Sequence, residues 1–215
     1  MRRPHPPRTP IERDIVEAER AVRAFAERSP KVSVCVLRFV DGLGPDLVTS
    51  HARLLGLPAV PGILGFDPRY QFVGEDDIVG ALEFAARRDL PGTFNAAGDG
   101  VLVLSEIASL LGKPFAPVLP PLGTGLAAVA ARRLGIALPS EMLAQLRFGR
   151  AVDNRRLKAA GYHFRTTSRE TVLAFAEHLR VRGIAPRAGT GYQYEREVEE
   201  FLRRSPAVRR GSGAA

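Results

Sequence analysis

The sequence contains a single cysteine, Cys35, and one thiol excludes both a disulfide framework and a cysteine-rich zinc site. Cys35 lies in the middle of an apolar run, which predicts a buried core residue without a neighbour that would lower its pKa. The histidines His51, His163 and His178 are not spaced from carboxylates as metal ligands are. The sequence therefore predicts neither a metal centre nor cysteine chemistry, and a cytoplasmic location is the default.

Long apolar runs are also missing. No stretch approaches the ~20 residues that a membrane-spanning helix needs. The first ten residues contain four prolines and three arginines, with no apolar stretch behind them. This composition predicts a disordered arm over residues 1–10 and argues against a secretory signal.

Lysine is scarce, with three residues against 28 arginines, and the formal net charge is +8. Arginines are mostly interleaved with acidic residues along the chain, which makes binding to nucleic acid an unfavoured interpretation. The last dozen residues form the one purely basic cluster. We interpret this cluster as a solvated tail, with an RNA or DNA contact as the alternative; its arginines are Arg203, Arg204, Arg209 and Arg210.

Patterns typical of helices and of strands alternate along the sequence. Apolar residues recur at helical spacing from Ile11, and residues 32–40 and 93–97 have the near-continuous apolar content of strands that are covered on both faces. This alternation predicts an α/β fold built from βαβ units. Two parallel strands cannot cover their own edges, so the sequence predicts a sheet that something else completes.

Local signals predict several further elements. Residues 41–45 form a turn after the first strand, Asp46 caps a helix that ends near Leu55, and residues 56–68 form a loop. Thr167 and Glu170 are spaced as a capping box for a long helix. Further helices are expected at residues 75–88, 105–111, 123–135, 140–148, 153–159 and 194–202, and a short strand at residues 70–73.

Three stretches carry a resemblance to a known family: residues 32–45, 69–78 and 92–98. In this order and spacing they resemble the C-terminal half of the extended short-chain dehydrogenase/reductases, the NAD-dependent epimerase/dehydratase family that mostly acts on nucleotide sugars. Members of that family open with a glycine-rich turn that holds the dinucleotide, and this sequence has no such turn. The resemblance implies an incomplete Rossmann-type parallel sheet with two main strands, followed by a mostly helical substrate lobe.

The resemblance also implies a domain organisation. Residues 11–120 would be the C-terminal remnant of an NAD(P)-binding domain with part of the substrate lobe, and residues 121–182 would be the helical substrate lobe. A basic, partly disordered tail would occupy residues 183–215. The helix from Ile11 belongs to a region that commonly forms a dimer interface in this family, so a homodimer is possible.

The family carries a Tyr-x-x-x-Lys pair at the start of its first helix here, followed four residues later by a glutamate. When that glutamate is placed on Glu19, the lysine position falls on Ile15 and the tyrosine position on Ile11. Neither isoleucine can transfer a proton, so the sequence predicts no catalytic pair. We interpret Ile11 and Ile15 as core-facing residues.

By the same resemblance, Phe39 and Val40 would lie near the nicotinamide of a bound cofactor. Asp41 stands where the family has a substrate-facing asparagine, and the alternative is a turn-forming aspartate. Arg69 lies one position before the family's diphosphate-binding arginine. Asn95 is a further substrate-binding candidate, and its alternative role is a hydrogen bond to a neighbouring loop.

The resemblance implies NAD or NADP in a full-length relative and predicts that this chain alone binds neither. The first hypothesis is therefore a truncated or degenerate epimerase/dehydratase that is inactive as this chain. The second is a non-catalytic protein that binds a nucleotide-sugar-like ligand or docks on a partner. The third, a nucleic-acid binder through the basic tail, is the least favoured.

Overall fold

The computed structural model describes residues 10–118 and 140–184. Helices α1–α7 span Pro10–Arg28, Ser50–Leu55, Glu75–Arg87, Leu104–Leu110, Ser140–Phe148, Arg155–Ala159 and Ser168–Ile184. Strands β1–β8 span Cys35–Phe39, Asp41–Leu43, Val60–Ile63, Arg69–Tyr70, Phe72–Gly74, Gly92–Ala96, Leu102–Val103 and Phe115–Val118. The chain divides into two units, Met1–Glu177 and His178–Ala215, and the features below lie in the first.

Strands β1 and β6 form the central parallel pair, with Leu37 opposite Phe94. Helix α1 is tied to one face of β1, because the Nε of Arg38 donates to Oε1 of Glu19 over 2.7 Å. Helices α3 and α6 close the other face, where Ala81 and Leu157 join a buried cluster that also contains Phe94. A parallel pair with helices on both faces confirms the predicted α/β class.

The remaining strands form three short pairs. Strand β2 runs parallel to β5, β3 runs parallel to β8, and β4 runs antiparallel to β7. The structure therefore replaces the predicted turn at residues 41–45 with a strand that begins at Asp41, and it places β3 in the predicted loop. Proline occurs in both β3 and β8. It is tolerated because each strand of a two-stranded sheet is an edge strand, and the side of an edge strand that faces away from its partner needs no amide donor.

Helix α2 begins later than predicted. Its cap is Thr49, whose hydroxyl accepts from the amide of Ala52 over 3.0 Å, and not Asp46. Asp46 instead donates its backbone amide to Glu75 over 3.2 Å. The capping box of α7 is confirmed, because Oε2 of Glu170 accepts from the amide and the hydroxyl of Thr167, each over 2.8 Å. These bonds hold the pKa of Glu170 below its usual range.

Burial in the first strand and first helix is lower than the sequence predicts. Cys35 is only partly buried, and this partial burial raises its pKa, so the thiol is not activated. Ile15 is 46% exposed and does not face a core among the described residues. Val22 and Phe25 on the same helix are also exposed. The apolar side of α1 is thus uncovered within the described chain, whereas the side chain of Ile11 lies outside the described residues.

Asp77 connects the start of α3, through hydrogen bonds, to a loop that is distant in the sequence. Its Oδ1 accepts from the amide of Arg165 over 2.8 Å, and its Oδ2 accepts from the amide and hydroxyl of Thr166 over 3.1 and 2.9 Å. The hydroxyl of Tyr162 donates to the carbonyl of Asp77 over 2.9 Å. Asp77 is almost wholly buried, so this carboxylate is structural: it binds a loop and does not cap its own helix.

Tyr162 gives a spectroscopic test of this packing. Burial, and then the charge and hydrogen bond of Asp77, raise the pKa of Tyr162 from 10.0 to about 12. Because the folded pKa is the higher one, this contribution to stability is complete below pH ~10 and is lost as the pH rises towards ~12. We expect the phenolate absorbance of the wild type minus that of Tyr162→Phe to appear only above pH ~11. A difference curve centred near pH 10 would contradict the prediction.

Two findings bound the kinds of site that the described ranges contain. Among the described helices, none has both the length and the apolarity that crossing a membrane requires. Within residues 10–118 and 140–184, no three histidine, cysteine or carboxylate side chains come together as a metal site. The predicted helices at residues 123–135 and 194–202 lie outside the described residues.

Candidate ligand-binding site

The candidate site lies where β1 ends and the chain continues into β2. In open parallel sheets, ligands bind outside the carboxyl ends of the strands. Four side chains from separate elements meet there: Asp41, His51, Tyr70 and Arg150. We refer to these four residues as the Asp41 cluster.

Asp41 is the centre of the cluster. Its Oδ1 lies 3.2 Å from Nδ1 of His51 and 3.8 Å from Nη1 of Arg150, and only 12% of its side chain is exposed. Its Oδ2 is buried and has no hydrogen-bond partner among the described residues. A buried carboxylate oxygen without a donor costs free energy, so a group that supplies a donor would be bound there favourably.

His51 approaches Asp41 from helix α2. The cap at Thr49 fixes the start of this helix, and the side chain of His51 is nine-tenths buried. Nδ1 is the ring nitrogen beside Asp41, and Nε2 is the other ring nitrogen. Nε2 is also buried without a partner among the described residues. The pair thus presents two unsatisfied atoms, one from each residue.

Tyr70 closes one side of the site. Its ring meets the ring of His51 edge-on, with the centroids 5.7 Å apart, and its hydroxyl donates to the carbonyl of Gln145 over 2.8 Å. Burial, and then the negative charge of Asp41, raise the pKa of Tyr70 far above its usual range. Tyr70 therefore remains a neutral donor that is already committed to Gln145.

Arg150 is the solvent-facing member of the cluster, with 46% of its side chain exposed. Its Nη2 donates to the carbonyl of Phe39 over 3.5 Å, which ties the cluster to the end of β1. The preceding Gly149 has a φ of +69°, and an added Cβ would lie 2.1 Å from the carbonyl oxygen of Arg69. Only glycine fits this position, and it sets Arg150 beside β4, where the amide of Arg150 donates to Arg69 over 2.8 Å.

The structure places the predicted site residues in different surroundings. Asp41 and Phe39 lie at the candidate site, the latter through its backbone. Val40 is buried with Val73 and Ala97, so its side chain is part of the core. Arg69 is exposed and holds Arg150 through its carbonyl, whereas Asn95 donates to the carbonyl of Asp153 over 3.1 Å, the neighbouring-loop bond that was its alternative.

Sequence reasoning missed His51, Tyr70 and Arg150 as members of a site. Asp41 and His51 are ten positions apart, one on a strand and the other on a helix, so no local sequence motif predicts their contact. Arg150 lies 109 positions after Asp41 and reaches it because residues 149 and 150 run beside β4. The one signal in the sequence is the Gly149–Arg150 pair at the end of a helical pattern, and glycine there is equally typical of a helix end.

The glycines near the site do not form a cradle for a dinucleotide. A Cβ added to Gly42 would meet the side chains of Ile78 at 2.8 Å and Leu47 at 3.0 Å. A Cβ added to Gly44 would meet the side chain of Glu75 at 2.3 Å. The space beside these two glycines is filled by this chain's own side chains, so Gly42 and Gly44 do not offer an open surface to a diphosphate.

Comparison with known proteins finds uncharacterized relatives by sequence and solved proteins of similar fold. No protein-family model matches the sequence. Uncharacterized proteins of Mycobacterium bovis and Mycobacterium tuberculosis are 38% identical to it over 178 residues, which make up 81% of this chain and 46% of each relative. The chain thus spans about half the length of the curated relatives it matches.

Solved structures share the fold. The dTDP-glucose 4,6-dehydratase of Bacillus anthracis, in complex with NAD, has a TM-score of 0.58 at 13% identity, over 83% of this chain and 54% of that one. The UDP-glucose 4-epimerase of Thermus thermophilus, also with NAD, has a TM-score of 0.57 at 19% identity, over 82% and 56%. The chain therefore has the Rossmann-type α/β fold of these proteins over about half of their length.

Proposed function

We propose that this chain is the substrate-facing part of a nucleotide-sugar epimerase or dehydratase and that, alone, it binds a nucleotide sugar without converting it. The observation that carries the proposal is the pair of unsatisfied buried atoms, Oδ2 of Asp41 and Nε2 of His51, at the carboxyl end of β1. The solved proteins of the same fold act on dTDP-glucose and UDP-glucose, and the chain matches about half of each.

The chemistry of the cluster favours a ligand rich in hydroxyl groups. Oδ2 of Asp41 is an acceptor, and Nε2 of His51 is a second acceptor while Nδ1 carries the proton. A sugar hydroxyl can donate to either atom, whereas a phosphate would meet the negative charge of Asp41. Arg150 is the cation of the cluster and is exposed enough to pair with a diphosphate at its outer side.

The proposal assigns no redox step to this chain. Side chains of this chain fill the space beside Gly42 and Gly44, and isoleucines occupy the two positions assigned to tyrosine and lysine. A full-length relative would hold NAD or NADP on residues that this chain does not supply. We therefore propose that the chain is inactive by itself.

Calorimetry with UDP-glucose and dTDP-glucose tests the ligand. We expect at least one of them to bind the wild-type chain. Asp41→Asn should lower the affinity by roughly 10- to 100-fold, because a hydrogen bond to a charged group contributes about 1.5–3 kcal/mol. Glu83→Gln is the matched control, since it removes an exposed carboxylate of α3 that pairs with Arg87.

Two outcomes would contradict the proposal. If neither nucleotide sugar binds, or if Asp41→Asn binds as tightly as Glu83→Gln does, the Asp41 cluster is not the ligand site. NAD and NADP are titrated in the same way, and we expect no heat of binding. Micromolar affinity for either dinucleotide would overturn the claim that this chain lacks a cofactor site.

A partner-docking role is the second candidate. The uncovered apolar side of α1, with Ile15, Val22 and Phe25 exposed, favours it. A homodimer through this helix is one form of the proposal, and docking on a partner that completes the sheet is the other.

A further inference from the structure

The buried part of the Asp41 cluster offers acceptors to a ligand. Among the described residues, Oδ2 of Asp41 and Nε2 of His51 are buried without a hydrogen-bond partner. An ionised carboxylate only accepts hydrogen bonds, so the proton of a neutral His51 ring is favoured on Nδ1, beside Asp41, and Nε2 is then an acceptor. The hydroxyl of Tyr70 already donates to the carbonyl of Gln145, so the ring that closes one side of the site adds no donor for a ligand.

The polar neighbours of Asp41 approach one of its two carboxylate oxygens. Nδ1 of His51 lies 3.2 Å and Nη1 of Arg150 lies 3.8 Å from Oδ1. The side chain of Arg150 is half-exposed, so solvent screens its charge. Oδ2 is buried and has no donor among the described residues. A buried, negatively charged oxygen in this state favours a group that brings both a proton donor and a positive charge.

A hydroxyl and an ammonium group of a ligand would meet these acceptors differently. A hydroxyl has a single proton, so it can donate to Oδ2 of Asp41 or to Nε2 of His51 and leaves the other atom unpaired. An ammonium group has three donors and no acceptor, as the side chain of lysine has, so it keeps further donors after it has bonded to Oδ2. A hydrogen bond between ionised groups is also roughly twice as strong as one between neutral groups. The buried side of the cluster therefore suits an ammonium group better than a hydroxyl.

We propose that the Asp41 cluster selects a nucleotide sugar with a free amino group on its sugar ring, and that Oδ2 of Asp41 binds the ammonium form of this group. Nε2 of His51 accepts a second hydrogen bond, from the same group or from a neighbouring hydroxyl. Arg150 keeps its place towards the diphosphate. This inference rests on the proposed function, since it names the class of sugar that the same site takes.

The carboxylate at position 41 is the feature on which this selection depends. An asparagine there, the residue expected from the family resemblance, would present an amide donor and a neutral carbonyl, and it could bind a hydroxyl or an amine. Aspartate presents no donor and carries a full charge. The substitution Asp41→Asn therefore removes the charge and changes the size of the side chain very little, so it isolates the proposed cause of selectivity.

Calorimetry with matched UDP-sugars tests the preference on the full chain. The panel consists of UDP-glucose, its three analogues with an amino group in place of the hydroxyl at C2, C3 or C4, and UDP-N-acetylglucosamine as an uncharged comparison. We expect at least one amino analogue to bind roughly 10-fold or more tightly than UDP-glucose, and the acetylated sugar to show no such gain. If UDP-glucose binds as tightly as every amino analogue, the inference is overturned and the proposed function stands. If no UDP-sugar or dTDP-sugar binds, the proposed function fails and the inference fails with it.

Two variants locate the selectivity. We expect Asp41→Asn to reduce the preference for the amino analogue to about 2-fold or less, because the charge that favours the ammonium group is gone. Glu83→Gln, which removes an exposed carboxylate that pairs with Arg87, should keep the full preference. Circular dichroism establishes that both variants are folded. A preference that survives in Asp41→Asn would place the amino group elsewhere and contradict the proposal.

Proton uptake gives a second reading that needs no variant. An amino group with a pKa of about 8, as an α-amino group has, is largely uncharged at pH ~8.5, so binding in its ammonium form takes up protons. The uptake is measured as the dependence of the binding enthalpy on the ionisation enthalpy of the buffer. We expect uptake with the amino analogue that binds most tightly and none with UDP-glucose. Equal proton uptake with the two sugars would mean that the amine binds uncharged, and it would overturn the proposal.

Discussion

Replacing Asp77 with alanine is expected to lower the free energy of unfolding by about 3 kcal/mol. The carboxylate accepts from the amides of Arg165 and Thr166 and from the hydroxyl of Thr166, all in a buried position. Its loss would leave buried donors without a partner, which costs about 1–3 kcal/mol for each group that finds no replacement. Urea denaturation followed by far-ultraviolet circular dichroism measures the change.

Asp76→Ala is the matched control for this variant. Asp76 stands one position earlier on the same first turn of α3 and is exposed. Its contribution is limited to the interaction of its charge with the helix terminus, about 0.3–1 kcal/mol. Similar losses in the two variants would mean that Asp77 acts through its charge on the helix and not through the loop at residues 162–166.

The second large effect is a gain of stability. We expect the double variant Asp41→Leu/His51→Leu to unfold with a free energy about 1–3 kcal/mol higher than the wild type. Two buried atoms without partners among the described residues would be replaced by apolar side chains, and such replacements of buried polar pairs are often stabilising. The same variant should lose the binding of nucleotide sugars.

The single variant His51→Leu serves as the comparison. It leaves Asp41 buried with Arg150 as the nearest cation, at 3.8 Å, so we expect it to be less stable than the double variant. If the double variant is also less stable than the wild type, the Asp41–His51 pair holds the fold together, and its role in binding a ligand loses its main support. Urea denaturation of the three proteins decides between these outcomes.

The elements that the sequence predicted well have local causes. Helix α3 begins with Glu75, Asp76 and Asp77 and ends with Arg87, and both ends match the charges that a helix favours. The capping box at Thr167 and Glu170 is equally local. The α/β class followed from the alternation of such segments, and the structure confirms it.

The elements that the sequence missed depend on partners far along the chain. Strand β3 is the sequence Val60-Pro-Gly-Ile63, whose proline and glycine favour a loop until β8 lies beside it. The Asp41 cluster is similar, because its four residues come from four segments that only the tertiary fold brings together. Cys35 was expected in a core. It is partly exposed because, among the described residues, no strand pairs with β1 on the side away from β6.

The hydrogen bonds between Asp77 and residues 162–166 also have a consequence for the order of folding. Its hydrogen-bond partners lie 85 to 89 positions later in the sequence. Contacts of such separation require the closure of a long loop before they contribute, and they slow the search for the native topology. The start of α3 can form early from its own residues, but the segment at residues 162–166 can dock on it only after most of the chain is in place. Loss of these hydrogen bonds would therefore raise the unfolding rate more than it lowers the folding rate, and the folded protein would have a shorter lifetime.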